Sequence, residues 1–193
     1  MTKFEKLKRL TKNIAVLWQD VQGIASVKVA KKLENAMLNW TVELTECLHI
    51  WLEKGVSMSD GELILARTNL GTLVESWLKF FYCVHYDDYL KNPLKHKNKI
   101  IEPNKMTLEN LKKFSIGPLF NDTSDNIYLW IDKIQKQRNT IHAFNFNNIG
   151  TSQEFIDDVD CLFDFVEKIW FQLPDIEGTL DAFPAGYEPM TYF

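Results

Sequence analysis

Residues Ser59 to Leu90 read SDGELILARTNLGTLVESWLKFFYCVHYDDYL, and this stretch decides the fold. Leu63, Leu70, Val74, Trp77 and Phe81 recur at helical spacing, which predicts one long helix from about Asp60 to Leu90. Ser59 followed three residues later by Glu62 is the pattern of a capping box at its start. Arg67 and His85 project on the same side as the apolar spine, and Glu75 sits at its edge. A helix of this length with a continuous apolar stripe must be covered by other elements.

The flanking sequence supplies those elements. A first helix spans about Lys3 to Val21, with Phe4, Leu7, Leu10, Ile14 and Leu17 in step. A second spans about Ser26 to Lys54 on a stripe of Val29, Leu33, Ala36, Trp40, Leu44, Cys47 and Trp51, with Glu43 inside the stripe and Gly55 as a stop. Residues Lys91 to Lys105 hold Pro93, Pro103 and five lysines and read as an exposed basic loop. A short helix follows from about Leu108 to Phe114, then a fifth from about Asp125 to Phe144. The last runs from about Ser152 to Leu173, with Thr151 and Glu154 as a second capping box and Phe155, Val159, Leu162, Val166 and Ile169 as its stripe. Long helices on short connections imply antiparallel neighbours, so the expected fold is an all-α antiparallel helical bundle over residues 1–173. Residues 174–193, with Pro174, Pro184 and Pro189, read as an irregular tail that packs back on the bundle.

The bulk numbers exclude several classes. A chain of 193 residues can bury its own core without staples. The formal net charge is -4, which argues against a generic nucleic-acid sleeve while leaving room for a local phosphate site. Cys47, Cys83 and Cys161 are scattered in apolar stretches, which reads as buried thiols of a reducing cytoplasm. The sequence shows no zinc spacing, no signal peptide and no membrane span, and no metal or cofactor is expected. P-loop, GxGxxG, HExxH and nucleophile-elbow motifs are also missing.

The fifth helix carries the feature that asks for an explanation. With Ile127 set at zero on a helical wheel, Ile131, Ile134 and Ile141 fall within about 40° of it. Arg138 lands at about 20°, inside that apolar stripe, and His142 at about 60°, one turn further on. Guanidinium stays charged and is almost never buried unpaired. Arg138 must therefore meet a carboxylate inside the bundle, or its face must open to a cleft or a second subunit. Glu43 and Glu75 are the first acids to consider, equally as partners for Arg67.

The segment Arg138-Asn139-Thr140-Ile141-His142 resembles the signature of the HEPN family of RNA-directed helical domains. The stretch Arg67–Tyr82, with Glu75 and Lys79 on an apolar helix, is similar to the central helix of many such domains. The resemblance covers roughly residues 26–173 and implies a HEPN-like bundle of four main helices plus accessory ones. It also implies metal-independent RNA cleavage at a cleft shared by a homodimer through the motif face, in a defence, toxin-antitoxin or stress setting with an antitoxin or other partner protein. In that reading Arg138 stabilises the phosphate, His142 handles the proton, Asn139 positions, and Glu75 and Glu43 support. The motif departs from the family in one respect: only three residues separate Arg138 from His142, a shorter interval than is usual. A second reading therefore stands beside the first, a non-catalytic RNA-binding or interaction module of the same fold. Tyr128 and Trp130 read as packing residues, His85 as a helix-interface histidine, and the lysines of the basic loop as solvated.

Overall fold

The computed structural model describes residues 1–142, 148–179 and 183–189. Its helices are α1 (Lys3–Trp18), α2 (Val27–Leu33), α3 (Leu38–Glu46), α4 (Leu48–Lys54), α5 (Asp60–Val84), α6 (Tyr86–Tyr89), α7 (Leu108–Phe114), α8 (Asn126–Arg138) and α9 (Ser152–Trp170). The sequence-based reading of an all-α helical bundle holds. No helix among the described residues is long and apolar enough to cross a membrane.

Helix α5 is the hub. Helices α2, α3, α4, α7, α8 and α9 all pack on it, and α1 closes the bundle against α3 and α9. Its N-terminal half buries one stripe, Leu63, Ala66, Leu70 and Val74, as the spacing predicts. From Trp77 to Val84 the burial is almost continuous, which is the mark of a helix enclosed on every side. Trp18 of α1, Trp77 and Phe80 meet edge to face there, with centroids 6.1 Å apart for Trp18–Phe80 and 5.5 Å for Trp77–Phe80. Both expected capping boxes are formed, Ser59 with Glu62 and Thr151 with Glu154. The Glu62 carboxyl is held down at about 2, first by the Lys54 ammonium and then by the Ser59 backbone N–H.

The expected single helix over 26–54 is divided into three. Met37 adopts a left-handed φ of 48°, which ends the run after α2 and starts α3 on a different face. In consequence the buried positions are Leu38, Thr41, Thr45 and Leu48, while Trp40 of the predicted stripe is 58 % exposed. Cys47 is exposed and Cys161 half-buried, so of the three thiols only Cys83 is buried as expected. The basic loop is exposed but folds a two-residue hairpin, Lys95–His96 against Lys99–Ile100. Lys97 and Asn98 take positive φ at its tip, the requirement of a tight hairpin turn.

The described part of the tail runs back along α1. The buried Asn13 side chain accepts from the Glu188 N–H (3.0 Å) and donates to the Glu188 carbonyl (2.6 Å), while Arg9 donates to the Pro189 carbonyl at 2.5 Å. Tyr192 and Phe193 of the tail lie outside the described residues.

Among the described residues, the only charged group with no exposure at all is Arg67 of α5. Its Nη1 donates to Asp158 of α9, Nε to the Ile149 carbonyl at 3.2 Å and Nη2 to the Thr151 carbonyl at 3.4 Å. Asp158 also accepts from Trp130 Nε1 at 2.9 Å and Lys133 Nζ at 2.5 Å, both on α8. One carboxylate thus ties α5, α8 and α9 together. Removing it by Asp158→Ala leaves a buried guanidinium without its counter-ion, and we expect a loss of about 3–5 kcal/mol of unfolding free energy in urea titration. Thr151→Ala, which removes only a helix cap, should cost about 1 kcal/mol.

Candidate functional site

Helix α8 ends at Arg138, because the chain then tightens into a 3-10 turn over Asn139–His142. The Asn139 N–H bonds to the Gln135 and Gln137 carbonyls, and the Thr140 hydroxyl donates to the Gln137 carbonyl at 2.6 Å. Thr140 is thereby buried, and Asn139 and His142 are left exposed. The expected α-helical continuation through Ile141 and His142 is corrected. A 3-10 turn advances about 120° per residue, so His142 swings roughly 120° from Arg138 instead of standing one α-turn above it. Ile141 is 40 % exposed. Ile131 and Ile134 stay fully buried. The predicted extension of the helix to Phe144 falls outside the described residues.

Arg138 itself lies as the charge argument requires. Its Nη1 donates to Glu75 Oε2, and Lys79 Nζ donates to Glu75 Oε1 at 2.6 Å. Glu75 is thus held between two cations, and the cluster Lys79–Glu75–Arg138 carries one net positive charge. Burial works to raise the Glu75 pKa, but Lys79 and Arg138 together outweigh it and the net shift is downward. The Arg138 side chain keeps 29 % of its surface open, so it is paired without being sealed.

Gly71 makes this geometry possible, a role that the apolar periodicity of α5 does not reveal. A Cβ at Gly71 would stand 2.7 Å from Arg138 Cβ and Cδ and 2.8 Å from Cγ. The stem of Arg138 lies directly on the α5 backbone, one helical turn before Glu75. Glycine is costly inside a helix, and here the missing side chain is the seat for another one.

Glu43 does not join the cluster. It is exposed on α3 and makes no ion pair among the described residues, so its expected supporting role is corrected. The left-handed Met37 is the reason, since it rotates α3 out of the register assumed for one continuous helix. Trp130 and Tyr128 are packed as expected, each 8 % exposed. His142 and Asn139 have no side-chain partner among the described residues. A cleft of about 340 Å³ opens nearby between α8 and the start of α9, lined by Lys133, Lys136, Gln137, Asn148, Gly150 and Glu154. Neither Arg138 nor His142 lines it. No group of three or more His, Cys, Asp and Glu among the described residues is placed to hold a metal ion.

Comparison of the chain with protein-family models, curated proteins and solved structures gave no match. The site must therefore be judged on its own geometry.

Two outcomes test that geometry. Gly71→Ala forces Arg138 off the α5 backbone and should cost about 1–3 kcal/mol by thermal or urea unfolding. Gly61→Ala, on the same helix with open space where its Cβ would go, should cost nothing measurable. For Glu75 the folded-state pKa is depressed, so its stabilisation is present above the ordinary glutamate range and is lost as pH falls through and below it. Glu75→Gln should flatten that part of the acid-denaturation profile, and an unchanged acid limb would show that the cluster contributes nothing to folding.

Proposed function

We propose that this chain is a HEPN-like helical domain acting on RNA, with a metal-independent endoribonuclease site on the turn that closes α8. The observation that carries the reading is the cluster Lys79–Glu75–Arg138, whose partly open guanidinium adjoins a turn presenting Asn139 and His142 to solvent. The resemblance is drawn from two separate stretches, the Arg138–His142 motif and the Glu75–Lys79 region, and the fold brings members of both into direct contact.

The chemistry follows from the residue types. His142 takes the proton of a ribose 2′-OH, whose oxygen attacks the adjacent phosphorus as the bond to the 5′ oxygen breaks. Arg138 has five N–H donors, of which Glu75 occupies one, and those left meet the charge growing on the phosphate oxygens. Glu75 and Lys79 act as positioning residues for Arg138. Exposed Asn139, Ile141 and His142 form the face on which a second copy would complete the cleft. A defence or toxin-antitoxin setting, with an antitoxin as partner, belongs to the same proposal.

A non-catalytic RNA-binding or interaction module is the second reading, and one observation favours it. The 3-10 turn carries His142 away from the side of α8 that holds Arg138, so a single copy does not aim both groups at one phosphate.

The deciding experiment is cleavage of single-stranded RNA by the purified chain in excess chelator. The wild type should yield cyclic-phosphate ends, and Arg138→Ala and His142→Ala should each lower the rate by about 10²–10⁴-fold while folding normally. Equal rates for all three proteins would remove the site assignment. RNA retention without cleavage, lost in Arg138→Ala, would establish the second reading.

A further inference from the structure

An aromatic recess lies away from this turn, where the end of α5, helix α6, helix α7 and the residues after α9 converge. It encloses about 610 Å³, within the range of roughly 300–1,000 Å³ typical of small-molecule sites. Its wall is built from Phe81, Tyr82, Tyr89 and Phe114, with His85 and Asp88 at one side; Lys113 also lines it, its ammonium engaged by Glu109 at 2.8 Å. Tyr82, Tyr89 and Phe114 brace one another edge to face, with centroids 5.4–6.1 Å apart. The Tyr82 hydroxyl is consumed internally by Ser115 at 3.1 Å. The rings thus form a fixed apolar surface.

The polar side of the recess is specific. His85 Nε2 is 3.0 Å from the Gln172 carbonyl. A carbonyl only accepts, so Nε2 carries the hydrogen and Nδ1 presents a lone pair. Burial, opposed by the Gln172 bond and by Asp88, holds the His85 pKa below its ordinary value, which favours the neutral ring. Asp88 uses Oδ1 to accept from Lys91 at 2.6 Å. Its Oδ2 faces His85 Nδ1 at 3.9 Å, too far for a direct hydrogen bond. Two acceptors, one of them charged, therefore face each other beside an aromatic wall.

We infer that this recess binds a flat aromatic molecule carrying a forked N–H donor, an aryl amidine or an amino-substituted heterocycle, whose two N–H groups bridge His85 Nδ1 and Asp88 Oδ2. The aromatic body lies against Phe114, the half-buried ring of the wall, with the buried Phe81 and Tyr89 rings behind it. A positive or strongly polarised donor end is favoured by the Asp88 carboxylate. The inference does not depend on any activity at Arg138.

Benzamidine is the probe, with neutral benzamide and anionic benzoate as matched shapes, each titrated into the full chain and followed by amide NMR. Benzamidine should shift the signals of residues 81–92 and 113–118 and bind at least tenfold more tightly than benzamide, with no binding of benzoate. Asp88→Asn, a change at an exposed side chain that the fold tolerates, should weaken benzamidine at least tenfold with the remaining spectrum unchanged. His85→Phe keeps a ring against Phe81 and removes the acceptor, and it should reduce the preference for benzamidine over benzamide. Equal affinity for the three compounds, an unaltered affinity in Asp88→Asn, shifts confined to another surface, or no shifts at millimolar probe would each overturn the assignment.

Discussion

The structure depends on one buried charge being answered. Arg67 sits in the middle of the central helix with no contact with water, so its guanidinium must find its partners within the protein. Asp158 supplies the counter-charge, and the carbonyls of Ile149 and Thr151 take further N–H groups. Because Asp158 also receives Trp130 and Lys133 from α8, the solution for one cation fixes three helices in register. Apolar packing alone tolerates sliding and repacking, whereas a buried carboxylate holding three donors specifies one arrangement. Gly150 shows how tight that arrangement is. Its φ of 70° belongs to glycine, and a Cβ there would lie 3.1 Å from Arg67 Nη2 and 2.8 Å from Gln137 Nε2.

The candidate site is a consequence of this register. Once α8 is locked to α5 and α9 at Asp158, its last residue falls over Gly71, and the Arg138 stem lies on bare backbone with its head at Glu75. The two arginines illustrate two different uses of the same chemistry. Arg67 is enclosed and structural, with its donors directed at fixed protein acceptors. Arg138 is paired through one nitrogen, shares its acid with Lys79 and remains partly open. That surplus of positive charge at the surface of an acidic protein is what makes the end of α8 chemically distinctive, and the 3-10 turn beyond it determines which side chains share its surroundings.

Much of the fold was legible because local signals agreed with each other. The capping pairs Ser59–Glu62 and Thr151–Glu154 marked the starts of α5 and α9, and the stripe of α9 is buried as its spacing predicts. The pairing of Glu75 with Arg138 was one of the two options that burial of a cation left open. Other features were not legible. Nothing local announces that Met37 turns left-handed, so three short helices read as one, and Glu43 was placed in a stripe that does not exist. Asp158 stands three residues after Phe155 within the apolar stripe of α9, a signal as strong as Arg67 in α5, yet the meaning of each lies in the other, 91 residues away.

The sequence by itself determined the helices, their caps, the enclosed central element and the presence of charges that burial would force into pairs, because these follow from periodicity and desolvation along a single segment. Tertiary structure alone decided which charges pair, that Gly71 receives Arg138, and that the turn after α8 tightens and carries His142 outward. Those outcomes depend on distances between segments remote in the chain, and no pattern within one helix encodes how closely another approaches it.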